Sequence, residues 1–209
     1  MRRCLTRGIK PNSIIDVGAS NGCWSEKASP LFPNSRYLCI EAQEKHREAL
    51  SQFAANHRNI EFLIAAAGAT PGEIFFRNAE NPFGGVATYE QTVNSVSLPV
   101  TSIDREVAQR QLQPPYLIKL DTHGFEVPIL EGATETLSKT QALIIEVYNF
   151  RISPEALLFH EMCGHLAGRG FRCIDLFEPL FRPRDEAFWQ MDMIFVPANR
   201  PEFDNLRYA

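Results

Sequence analysis

Apolar residues along the chain fall into short unbroken runs, separated by longer stretches in which they recur every three or four positions. The runs predict strands at about 13–17, 36–41, 60–65, 116–121, 142–148, 171–176 and 190–196, and the periodic stretches predict helices near 22–31, 43–56, 103–111, 125–137 and 154–168. Runs such as YLIKLD and ALIIEVY are β-rich and almost continuously apolar, as befits strands covered on both faces. Alternation of the two kinds of segment predicts an α/β fold, a mostly parallel sheet with helices on both sides. The last run follows the sixth after the loop FEPLFRPRDEA, which has no helical repeat. A parallel neighbour needs a crossover of about a dozen residues or more, usually helical, so this seventh strand is expected to run antiparallel. Residues 72–100 break the rhythm with Asn-Pro and Gly-Gly steps and read as a hairpin or flap. No Pro/Ser-rich linker, low-complexity stretch or internal repeat divides the chain, so a single domain over residues 1–209 is expected.

Charge and cysteine usage narrow the function class. A net charge of -4 gives no general pull toward nucleic acid. Five cysteines, an odd number with no Cys-x-x-Cys pair, read as reduced thiols of a cytoplasmic protein. The opening MRRCLTRGIKPN is basic but lacks an apolar core, so it does not read as a secretory signal, and no apolar stretch approaches the ~20 residues of a membrane span. The segment HEMCGH suggests zinc, but His160 and His165 stand five apart, where a metal-binding helix needs a spacing of four to keep both on one face. No metal is expected there, and a divalent ion held by Asp121, Glu146 and a further acid is the minority alternative.

The segment IIDVGASNG carries the candidate chemistry. Asp16 ends the first strand, Gly18 and Gly22 bracket Ala19, Ser20 and Asn21, and a helix follows at once. Glycines let the main chain approach a ligand with no Cβ in the way, and in open α/β sheets ligands bind beyond the carboxyl ends of the strands. Tight packing of the loop is the alternative reading. A phosphate loop is excluded because Cys23 and Trp24 stand where Lys and Ser/Thr are needed, and the dinucleotide fingerprint fails at Ser20. Glu41 ends the second strand, 19 residues after Gly22, where a carboxylate can accept hydrogen bonds from both hydroxyls of a ribose. The alternative for Glu41 is a surface cap on the next helix.

Four segments in order, IIDVGASNG, YLCIEAQ, IAAAGATPGEIFF and SIDREV…YLIKLDTHGFEVPILEGA, make residues 13–150 resemble the S-adenosylmethionine-dependent methyltransferases of the FkbM type. The last segment is the most specific: Lys119, Asp121, Gly124 and Glu126 match that family's K-x-D-x-x-G-x-E, while His123 departs from the Glu that members often carry. The resemblance implies a class I methyltransferase, Rossmann-like fold with seven strands. It also implies S-adenosyl-L-methionine as cofactor: Asp16, Gly18, Ala19, Ser20, Asn21 and Gly22 for its methionine part, Glu41 with Ala42 for the ribose, Ala66 and its neighbours for the adenine, and Asp121 near the amino group and sulfonium.

The activity so implied is O-methylation of a hydroxyl on a sugar or other small molecule. His123 is the first choice for the base that takes the acceptor's proton, since an ordinary imidazole is largely neutral at working pH. Asp121 is second, and Glu146 at the end of the fifth strand either binds the acceptor or replaces His123. Phe83 and Tyr89 of the flap, with Phe177, Phe181 and Trp189, are candidates for acceptor walls. Asp104 reads as a first-turn acid favoured by its helix dipole. A small-molecule or glycan acceptor is the expected partner, and a second subunit could supply a lid. The competing readings are a binding module that keeps the cofactor but has lost catalysis, and a nicotinamide-dependent oxidoreductase using Glu41 in the same way.

Overall fold

The computed structural model of the chain describes residues 1–78, 85–88, 90–91 and 93–207. A short helix α1 (Arg2–Thr6) precedes β1 (Ser13–Val17), α2 (Cys23–Ala28), β2 (Arg36–Glu41), α3 (Arg47–Asn56) and β3 (Ile60–Ile64). Next come β4 (Ala66–Ala67), β5 (Gly72–Asn78), β6 (Gly85–Thr88) and β7 (Ser95–Thr101). The remaining elements are α4 (Ile103–Gln109), β8 (Tyr116–Leu120), α5 (Glu126–Glu131), α6 (Thr134–Leu137), β9 (Thr140–Tyr148), α7 (Phe159–Ala167), β10 (Phe171–Phe181) and β11 (Phe188–Pro197).

Seven strands form the main sheet in the order β10-β11-β9-β8-β1-β2-β3. The five from β3 to β9 pair in parallel. β11 runs antiparallel to both of its neighbours, β9 and β10, as its helix-free connection predicts. Adjacent residues of a strand serve opposite faces: Ile14 packs with Ala28 of α2 and Phe53 of α3, Ile15 with Ile103 of α4, Ile129 of α5 and Leu166 of α7. That two-sided burial is why the strand segments read as unbroken apolar runs. Among the described residues no helix is long and apolar enough to cross a membrane.

Two expectations, both on helix bounds, need correction, and a third is extended. The helix expected over 125–137 is two, α5 and α6, separated at Gly132, where a Cβ would come 2.1 Å from the Gly68 carbonyl oxygen. The helix expected from 154 starts only at Phe159, where Glu161 turns back to accept a hydrogen bond from the Leu158 amide at 2.8 Å. The expected hairpin at 72–100 belongs to a second, four-stranded sheet in the order β4-β7-β5-β6. Its Ile74, Phe76 and Ala87 join the same core as α4 and α5. Phe83 and Tyr89 lie outside the described residues.

The strand order reverses between β1 and β8: the chain runs outward from β1 to β2 and β3, then returns to place β8 and β9 on the other side. Such a switch leaves a crevice beyond the carboxyl ends of the two central strands.

Candidate active site

A cavity of about 290 Å³ opens in that crevice. Its apolar lining includes Ile40, Ala65, Ala66, Ala67, Phe76 and Ile129, and its polar groups are few: Ser20, Glu41, Gln43, Asp121, Thr122, His123 and Glu146. A mostly apolar concavity with a handful of convergent polar groups is the usual form of a small-molecule site.

The loop after β1 forms one rim. Gly18 lines the cavity with φ +77°, and a Cβ on it would stand 2.0 Å from the Asp121 carbonyl oxygen. Gly22, at φ +84°, would meet the Phe53 ring at 2.8 Å. Both glycines thus answer to contacts within the chain, the packing alternative, and Gly18 borders the cavity as well. Ser20 and Ala42 also line it, whereas Asp16, Ala19, Asn21 and Gly22 do not. Asp16 is fully buried behind the loop, where it accepts a hydrogen bond from Ser25 Oγ at 2.7 Å. Asn21 Oδ1 accepts from the Cys23 amide at 3.2 Å, at the start of α2.

Glu41 occupies the second rim and is 4 % exposed. Its carboxylate accepts from the Ser20 amide at 2.7 Å and the Gln43 amide at 2.8 Å, so it ties the β1 and β2 loops together. Each carboxylate oxygen can take about two hydrogen bonds, which leaves capacity facing the cavity. Gln43 beside it has a buried side-chain oxygen, Oε1, with no hydrogen-bond partner among the described residues.

The third rim follows β8, and here the K-x-D-x-x-G-x-E residues act as one folded unit. Lys119, 4 % exposed, places Nζ 2.9 Å from Asp121 Oδ2 and 3.8 Å from Asp16 Oδ1. Burial pushes the Asp121 carboxyl up, but the Lys119 ammonium, aided by His123 and a hydrogen bond with Glu146, holds it below the usual carboxylate value. His123 (φ +54°) and Gly124 (φ +96°) make a left-handed turn, a conformation that His adopts more readily than most side chains. A Cβ on Gly124 would lie 2.7 Å from Ser153 Oγ. Glu126, buried at the start of α5, fastens the turn by accepting from Thr122 Oγ1 at 3.0 Å and the Gly124 amide at 3.1 Å.

Glu146 comes from β9. Tyr148 Oη and Gln190 Nε2 donate to its two oxygens. Burial, together with the negative charge of Asp121, pushes its carboxyl up to about 8. Asp192, its register partner on β11, is pushed up to about 6, chiefly by burial. Ligand atoms of Asp121, His123 and Glu146 lie within 4.8 Å of one another, so the three residues singled out for catalysis converge. Among the described residues this is the one such His/Cys/Asp/Glu group, and the His160–His165 segment of α7 forms none.

Other expectations fall outside the cavity. Trp189 stacks on Phe150 at 5.1 Å and meets Tyr148 edge-on at 6.1 Å, Phe177 packs against the core below α2 and α3, and Phe181 is exposed. Asp104 does sit in the first turn of α4, but its carboxylate reaches the next element, accepting from the Glu135 and Thr136 amides at 2.9 and 2.8 Å. Ala65 and Ala67, the expected neighbours of Ala66, line the cavity, as do Gln43 and Phe125, which were not singled out in the sequence. The EAQ segment hinted at Gln43.

Comparison with known proteins agrees with this geometry. Among solved structures, the Methanococcus jannaschii fibrillarin pre-rRNA processing protein matches with a TM-score of 0.57 and 13 % identity, over 91 % of this chain and 68 % of that one. The magnesium protoporphyrin IX methyltransferase of Synechocystis, solved with bound S-adenosylmethionine, matches with a TM-score of 0.51 and 10 % identity, over 94 % and 75 %. At that identity the likeness establishes the fold, the class I methyltransferase sheet. No curated protein matches by sequence. The family described as the methyltransferase FkbM domain matches residues 16–173, and the chain belongs to that family of methyltransferases.

Proposed function

We propose that the chain uses S-adenosylmethionine to methylate a hydroxyl on a sugar or other small molecule. The observation that carries this reading is the placement of Glu41 on one rim of a single cavity and of Asp121, His123 and Glu146 on another. The lining suits such a cofactor: carboxylates for ribose hydroxyls and an ammonium, alanines for a flat base, and the unpartnered Gln43 oxygen for a further donor. Glu41 with Ala42 would hold the ribose, Ala66 with its neighbours the adenine, Gly18 and Ser20 the methionine part, and Asp121 the amino group. When bound, the cofactor supplies an electrophilic methyl carbon on a sulfonium.

The rest falls to the protein's own residues. Alignment of the acceptor oxygen can remove roughly 7–11 kcal/mol of barrier. The hydroxyl proton needs an acceptor, and the three neighbours are not equivalent. Glu146 already carries a proton near neutral pH, and Asp121 is engaged by Lys119. His123 remains, and its ring nitrogen takes the proton. Incubation of the protein with labelled methyl donor and a panel of hydroxylated sugars and small molecules tests this. Label transferred only to nitrogen or carbon acceptors, or to none while the cofactor binds, would contradict it.

A further inference from the structure

Lys119 is the one residue of the K-x-D-x-x-G-x-E unit that neither lines the cavity nor shapes the turn after Asp121. It pairs in register with Asp16 across β1 and β8, and its chain lies beside α2, with Nζ 5.6 Å from the Trp24 ring centre. It does not line the cavity. Removing an ammonium from water is costly unless it is closely paired, and here two carboxylates pair it at 2.9 and 3.8 Å.

Resting on the methyltransferase reading, we infer that Lys119 is a positioning residue for the cofactor: it locks the Asp121 carboxylate, ionised and in one orientation, at the rim where the cofactor's amino group would sit. Asp16, on the central strand, is the anchor that fixes Lys119 in turn. Asp121 and Glu146 approach each other closely enough to compete for one proton. A cation at 2.9 Å from Asp121 decides that competition, leaving the charge on Asp121 and the proton on Glu146. The other ionisable groups around this pair are Cys39 on β2, His123 on the turn and Asp192 on β11. Tyr148, whose hydroxyl donates to Glu146, and Glu126 lie near as well; His123 also favours the charge on Asp121, but among the described residues Lys119 is the one cation in ion-pair contact with it, at 2.9 Å.

The test uses Asp16→Asn, Lys119→Met and the double variant, which removes the Asp16–Lys119 charge pair together and so keeps a foldable alternative to the single Lys119 change. Folding is checked by circular dichroism, and S-adenosylhomocysteine affinity is measured by calorimetry from pH 6 to 9. Asp16→Asn, which frees Lys119 from its anchor but retains the 2.9 Å pair, is expected to weaken affinity by about threefold, less than the double variant does. The folded double variant is expected to lose about tenfold or more at pH 7, the scale of one charge-assisted hydrogen bond, and to recover as rising pH ionises Asp121. Wild-type affinity in the folded double variant, or a loss that does not change with pH, would overturn the inference while leaving the methyltransferase reading intact. Failure of the wild type itself to bind would remove both.

Discussion

Gly18 offers a perturbation whose magnitude follows from geometry. Substitution by Ala places a side chain at φ +77°, which costs about 1–2 kcal/mol for an L-residue. Its Cβ would also stand 2.0 Å from the Asp121 carbonyl oxygen, so the tips of β1 and β8 must part by more than an ångström, an overpacking cost of about 1–3 kcal/mol. The sum, about 3 kcal/mol, corresponds to a fall in melting temperature of about 6–12 °C for a chain of this length. Gly170 provides the control: it too has positive φ, at +80°, but nothing lies within 4 Å of its missing Cβ. Gly170→Ala should therefore show only the backbone part, about 2–8 °C, and less than Gly18→Ala. Calorimetric melts of the two variants, with S-adenosylhomocysteine titrations alongside, separate the contributions. Gly18→Ala should also weaken ligand binding, because the carbonyl it displaces belongs to Asp121. Equal melting shifts in the two variants would refute the close-approach argument.

Further outcomes are expected elsewhere. His123→Asn keeps a residue tolerant of the left-handed turn but removes the base, so turnover should fall about 10²–10⁴-fold while S-adenosylhomocysteine affinity holds, measured by labelled transfer and calorimetry. Unchanged turnover would remove the base assignment. Asp175 sits 2.6 Å from both Arg3 and Arg7, fastening α1 to β10; burial opposes its charge, but the two guanidiniums hold its carboxyl below the usual value. A depressed folded pKa means the stabilisation is complete above the unfolded value near 4 and is lost as pH falls through the folded one. The melting gap between wild type and Asp175→Asn should thus be open at pH 6–7 and close in acid. A gap that persists unchanged in acid would show that the pair contributes nothing through charge.

Much of this architecture was legible in the chain because strands buried on both faces must read as apolar runs, and the helix-free connection before β11 dictated its direction. Glu41 could be singled out because the carboxyl end of β2 delivers it to the crevice, and Asp121 because it matches the K-x-D-x-x-G-x-E pattern. What stayed hidden depends on contacts between distant segments. Gly132 and Gly18 are each required by a carbonyl lying where a Cβ would stand, that of Gly68 and that of Asp121; neither neighbour is visible locally. Lys119 looked unassigned until strand register set it opposite Asp16, and the displacement of Asp16 from the cavity follows from the same pairing. The second sheet escaped notice because β4 has only two residues, too few to show a period.

The account rests on a nucleoside-bearing methyl donor held between Glu41 and Asp121. Calorimetric titration of S-adenosylhomocysteine into the wild type and Glu41→Ala tests it most directly. Saturable binding at one site in the wild type, weakened about tenfold or more by loss of the carboxylate, is the predicted result. No saturable binding to the wild type, or equal affinity in the variant, would contradict it.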